Sequence, residues 1–175
     1  MPNQRDYQAH LNRHSVTIPQ ISESLRVVEP GVWSADWAWG LPLIVLTVVI
    51  HVLGLGLMNL RALQIFSRTQ GRHPTAVFVS VMGTMTLLAT SLHAMEASIW
   101  AACYEFLGAL PNFRYAMLYS LGAMTTFGNS NLSLEARWKL MGAIEALSGW
   151  LLFGLTTAFL FGMTQKVWAR SDHRS

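Results

Sequence analysis

Four ionisable side chains interrupt stretches that are otherwise apolar: His51, His93, Glu96 and Glu145. Such groups are costly in hydrocarbon and occur where a partner or a cavity compensates them. His93 and Glu96 stand three residues apart, which on a helix gives them one face and predicts a hydrogen-bonded pair that lowers the desolvation of both. His51 and His93 together offer two imidazoles, a number that a membrane b-type haem or a metal ion would use. Haem is disfavoured because His51 lies near the middle of its apolar stretch and His93 towards the far end of its own, so no cofactor and no metal ligand set is expected. Glu145 reads as a structural brace in preference to an ion ligand. Nothing else resembles an enzyme: the chain has no Gly-Lys-Ser/Thr phosphate loop, no His-Glu-x-x-His, no cysteine pair and no nucleophile beside a base. Catalysis is not expected, and no catalytic residue is assigned. The single cysteine, Cys103, lies in an apolar run and reads as a packing residue.

The elements that must position these groups follow from hydropathy. With 52% hydrophobic and 12% charged residues and a mean hydropathy of +0.34, the chain is too apolar for an ordinary soluble domain. Residues 1–38 form a polar arm punctuated by Pro19, Pro30 and Gly31, too polar at its start for a cleavable signal peptide. Trp33, Trp37 and Trp39 close that arm as an aromatic belt at headgroup level, or else as a loop packing cluster. A first transmembrane helix is expected over 39–60, where LPLIVLTVVIHVLGLGLMNL carries no formal charge. A basic connection containing Arg61, Arg68, Gly71, Arg72 and Pro74 leads to a second apolar helix over 76–108, and a last one is expected over 139–166.

Between the second and last spans, Pro111 breaks the chain and Asn112 can cap a helix over 112–124. A dozen residues rise only about 18 Å, short of the roughly 30 Å of hydrocarbon, so this helix cannot cross. It either lies on the membrane surface or enters and returns as irregular backbone, which requires surrounding protein or a water-filled cavity. The run that follows, 125–131, is rich in Thr, Gly, Asn and Ser.

The segment MLYSLGAMTTFGNSNL from Met117 to Leu132 resembles the pore helix and selectivity filter of the potassium-channel superfamily, on Ala116, Ser120, Leu121, Thr125, Thr126 and Gly128. HAMEASIWAACYEFLGALPNF looks like the outer helix and turret of small bacterial members, and EALSGWLLFGLTTAFLFGMTQ like their inner helix, so the resemblance covers Ala76 to Trp168. It implies an all-α integral membrane fold with three transmembrane helices plus a re-entrant pore helix. Residues 76–168 would form the pore unit: outer helix 76–108, pore helix 112–124, filter loop 125–131 and inner helix 139–166.

In that family a threonine, an apolar residue and then Gly-Tyr-Gly-Asp follow the pore helix. Thr125, Thr126, Phe127, Gly128, Asn129, Ser130 and Asn131 therefore take the ion-pathway positions, where four copies of the loop ring a dehydrated cation with oxygens. The filter is altered: Asn129 replaces the aromatic prop, Ser130 the second glycine and Asn131 the acidic residue at the mouth. Weak discrimination among monovalent cations follows. Ser120, Glu145 and Gly154 take filter-support or hinge positions, with Glu145 behind the pore helix accepting hydrogen bonds from Ser120, Tyr119 or loop amides. Gly149, Gly154 and Gly162 serve either close packing or a bend. Thr156 and Thr157 either face an inner cavity or return their hydroxyls to the carbonyl four residues back.

The expected function is a cation-channel pore subunit, a homotetramer in the bilayer passing monovalent cations down their gradient. The alternative is a non-conducting channel-fold scaffold or accessory subunit with further protein partners. No basic stripe interleaved with aromatics supports nucleic-acid binding. Arg61, Arg68, Arg72, Lys166, Arg170 and Arg174 flank the spans on one side, which predicts a multi-pass protein of the cell membrane with its N-terminus outside and C-terminus cytoplasmic.

Overall fold

Proline opens two of the long helices, at the position where its fixed φ suits the first turn and its missing N–H costs nothing. The structure, a computed structural model, describes residues 30–68, 74–128 and 132–172, with side chains placed for 33–65, 75–128 and 132–166. Helix α1 runs Pro30–Arg68 and α2 runs Pro74–Phe106; a short α3 spans Phe113–Met124, and a 3₁₀ turn over Ala136–Trp138 leads into α4, Lys139–Asp172. Three of these are long and apolar enough to cross a membrane, over Trp33–Ile65, Thr75–Phe106 and Ala136–Lys166.

The first helix starts earlier than its hydropathy suggests. Residues 30–38, read as the end of the polar arm, are its opening turns, and the helix also continues past residue 60 to Arg68. Asp36 explains part of that extension: it is buried and accepts a hydrogen bond from the backbone of Met141, in the first turn of α4. The first N–H groups of a helix have no partner within it, and an acceptor carboxylate there also meets the positive end of the helix dipole. Pro42 lies within α1 and is accommodated there. The remainder of the polar arm, residues 1–29, lies outside the described residues.

Helix α2 ends in a turn that its sequence specifies. Gly108 adopts φ +65°, the left-handed conformation favoured by glycine, and the amide of Ala109 donates back to Tyr104 O at 2.9 Å. The next helix is then capped from both sides: Asn112 Oδ1 accepts from the Tyr115 amide at 3.1 Å, and Glu105 Oε1 accepts from the Phe113 amide at 3.1 Å.

One buried cluster joins the beginning and end of the segment between α2 and α4. It contains Trp100, Tyr104, Ala109, Leu110 and Ala116 on the way in, and Leu134, Trp138, Met141 and Ile144 on the way out. The chain therefore leaves this end of the bundle after Leu110 and is back at the same end by Leu134. In between, α3 penetrates to mid-bundle, where its last residue, Met124, packs with Ala97 of α2, Leu152 of α4 and Val48 of α1. Apart from that tip, α3 is held between α2 and α4. Trp39 meets Phe106 edge to face with ring centroids 6.0 Å apart, so the start of α1 stands beside the end of α2.

Candidate functional site

Among the described residues two polar clusters and one loop interrupt the apolar interior, and α3 shapes the first cluster and the loop. The first cluster centres on Glu145, fully buried on α4. Tyr104 Oη donates to its Oε2 at 2.8 Å, and the Ser120 hydroxyl makes a short hydrogen bond to its Oε1. Ser120 also lies 2.9 Å from the carbonyl oxygen of Ala97. One serine thus links α3 to both neighbouring spans. Of the partners expected for Glu145, Ser120 is brought to it, whereas Tyr104 takes the place anticipated for Tyr119. Tyr119 packs edge to face on Tyr104, with centroids 5.5 Å apart, and extends its hydroxyl against Gly142.

Close backbone approach fixes the tip of α3. A Cβ at Gly149 would collide with the carbonyl oxygen of Met124 and come within 2.8 Å of its Cα and 2.9 Å of its carbonyl carbon. Only a hydrogen at this position lets the end of α3 reach α4 so closely. At Gly154, expected as support or hinge, an added Cβ would meet nothing within 4 Å. It stands away from the contact that holds α3.

Beyond that tip the loop turns back on its own helix. Thr125 Oγ1 donates to Leu121 O at 2.7 Å, Thr126 Oγ1 to Thr125 O at 2.7 Å, and the Gly128 amide to Gly122 O at 3.1 Å. Gly128 has φ +70°, a glycine conformation, but Thr126 has φ 55°, which a β-branched residue adopts only under strain. Phe127 is 90% exposed. A cleft of about 440 Å³ lies between this loop and α4, with Thr126, Gly128, Leu134, Lys139 and Gly142 among its walls. The other expected ion-pathway residues, Asn129, Ser130 and Asn131, lie outside the described residues.

The second cluster sits about one helical turn beyond the α3 tip and draws on all three long helices. His51 Nδ1 lies 2.8 Å from Glu96 Oε1, and His51 Nε2 lies 3.0 Å from Thr156 Oγ1. His93 Nε2 reaches the same threonine oxygen at 3.1 Å, and its Nδ1 is 3.4 Å from Glu96 Oε2. His51 and Glu96 are fully buried. His51 and His93, expected at different depths, instead lie side by side with ring centroids 5.0 Å apart. The reason is that α1 runs alongside α2 in the opposite direction with its own vertical offset, which position within an apolar stretch does not specify. His93 and Glu96 face each other as expected, but at 3.4 Å and without a hydrogen bond between them; the shorter contact to Glu96, 2.8 Å, comes from His51, 45 residues away in sequence. A flat macrocycle would have to enter between two imidazoles already in contact.

Thr156 was missed as a partner. The sequence offered a cavity or the carbonyl four residues back; Thr157 takes the latter, donating to Phe153 O at 2.8 Å, while Thr156 bridges the two histidines. No local signal separates these adjacent threonines, because only the rotation of α4 decides which one faces α1 and α2.

No family model, curated protein or solved structure matches this chain.

Proposed function

We propose that the chain is the pore subunit of a cation channel, assembled as a homotetramer around one axis, with the loop after α3 as the ion path. The observation that carries this reading is the excursion from Leu110 to Leu134. It leaves and rejoins one end of the bundle through a helix too short to cross hydrocarbon. Irregular backbone at that depth is tolerated where it is enclosed by protein or lines water, and neighbouring copies would supply both. The C-terminal end of α3, which carries the negative end of its dipole, then points towards the path. Exposure of Phe127, with Leu118 and Leu121 on α3 also uncovered, leaves apolar surface of the excursion for further copies to cover.

In this assembly the carbonyls of residues 125–128 and the Thr126 hydroxyl turn towards the shared axis, and the Glu145–Ser120–Tyr104 network holds α3 from behind. The three spans support a multi-pass membrane protein; in this reading it sits in the cell membrane with the excursion opening outwards, the N-terminus outside and the C-terminus cytoplasmic, as the flanking Arg and Lys residues favour. Lipid covers the remaining apolar faces. Monovalent cations pass with weak selectivity because Asn129, Ser130 and Asn131 replace the residues that shape a strict potassium filter.

One observation favours the second reading, a non-conducting scaffold or accessory subunit: the Thr125 hydroxyl and the Gly128 amide bond back to α3, and the Thr126 hydroxyl to the adjacent Thr125 carbonyl. Purified protein in liposomes separates the two. Flux of potassium and sodium of similar size, from particles with the mass of four chains, is expected. A monodisperse tetramer that passes neither ion refutes the channel and leaves the scaffold, while a monomer refutes the shared axis on which both ion path and tetramer depend.

A further inference from the structure

The cluster of His51, His93 and Glu96 has two features that hydrogen bonding among its members does not explain while both histidines are neutral. Glu96 Oε2 and His93 Nδ1 are buried, face each other at 3.4 Å, and have no hydrogen-bond partner. In addition, both imidazoles present Nδ1 to the carboxylate and Nε2 to one threonine oxygen. Neutral histidines that both donate from Nδ1 leave two Nε2 acceptors competing for the single hydroxyl hydrogen of Thr156.

We infer that His51 Nδ1, His93 Nδ1 and the Glu96 carboxylate form a binding site for a divalent first-row transition ion such as zinc. Two imidazoles and one carboxylate, with a fourth position open, are a ligand set that such ions accept. Bonds of about 2.0–2.1 Å in tetrahedral geometry set neighbouring ligand atoms about 3.4 Å apart, the separation at which Glu96 Oε2 and His93 Nδ1 stand. The three residues' ligand atoms all lie within 4.8 Å of one another, so a small side-chain adjustment completes the set.

Thr156 supplies the outer partner. With a metal on both Nδ1 atoms, each ring carries its hydrogen on Nε2, and the two lone pairs of Thr156 Oγ1 accept both. The competition for one hydroxyl hydrogen disappears. The metal bonds then tie α1 to α2, and the threonine ties both to α4, so occupancy holds the three spans in one register. The site does not depend on the channel reading.

The test uses the full chain in nanodiscs, stripped with chelator, equilibrated with zinc chloride and dialysed before metal analysis. One zinc per chain is expected, together with visible ligand-field bands when cobalt(II) is used instead and a rise in melting temperature on adding zinc. Thr156→Val keeps all three ligands and should weaken zinc binding about 10–100-fold, whereas Glu96→Gln and His51→Gln should abolish the cobalt bands. Should those ligand variants fail to fold, replacing His10, His14, His73 and His173 together provides the second measurement: stoichiometry and bands should both survive. Wild-type protein that retains no zinc and shows no cobalt bands overturns the site. So does metal that disappears with those four histidines, or that persists undiminished in His51→Gln.

Discussion

Replacing Gly149 with alanine tests whether α3 is seated against α4 as described. The added methyl would overlap the carbonyl oxygen of Met124 and stand 2.8 and 2.9 Å from its Cα and carbonyl carbon, where ordinary contact begins near 3.4 Å. Relieving those two contacts requires the helix tip to retreat by about 0.6 Å, and more for the oxygen. Backbone at a helix end cannot rotate aside as a side-chain terminus can, so the cost falls in the overpacking range of about 1–3 kcal/mol. That is roughly a 5- to 150-fold change in the folding equilibrium. Gly154→Ala is the matched control on the same helix: its methyl meets nothing within 4 Å, so the change should be neutral or stabilise by up to about 1 kcal/mol through helix propensity. The assay is denaturant unfolding of both purified variants followed by tryptophan fluorescence. Equal stability for the two variants would refute the seating of α3. Under the proposed channel reading the same retreat would also displace Thr125 and Thr126 from the ion path.

The Glu145 network responds to shape more than to charge. Glu145→Gln can accept from Tyr104 and donate to Ser120, whose own hydrogen turns to Ala97 O, so unfolding free energy should change by under about 1 kcal/mol; Glu145→Leu leaves Ser120 its bond to Ala97 O but strands the buried Tyr104 hydroxyl and should cost about 1–3 kcal/mol in the same assay. A large loss in the glutamine variant would refute this hydrogen-bond assignment. Asp36→Asn removes the carboxylate from the first turn of α4 and should lower stability by about 0.5–2 kcal/mol; the matched change Glu135→Gln, on an exposed residue paired with Arg137, should move it by less than about 1 kcal/mol.

The class of element was legible wherever one physical quantity decided it. Apolar length determined the three long helices, and too little length marked α3 as unable to cross. Pro111 and Asn112 marked its start because a broken amide ladder and a side-chain acceptor act locally. Ser120 and Glu145 could be paired from the resemblance to a known pore unit, and the pairing is present. Boundaries were less legible: Pro30 and Gly31 made residues 30–38 look like the end of an arm, whereas Pro30 opens the helix, and hydropathy carries no information about the helix N-terminus that Asp36 meets.

The residues alone determined that the described part of this chain holds three apolar helices and one short interruption, because the bilayer's thickness and the cost of bare backbone are set by physics outside the protein. Tertiary structure alone decided which side chains meet. The offset of α1 against α2 and the rotation of α4 bring His51, His93, Glu96 and Thr156 together, and a shift of one residue in any helix would turn its member about 100° away from the others. Such registers are fixed by many small contacts distributed along the helices, with glycines such as Gly149 admitting the closest of them, and no local stretch of sequence contains that sum.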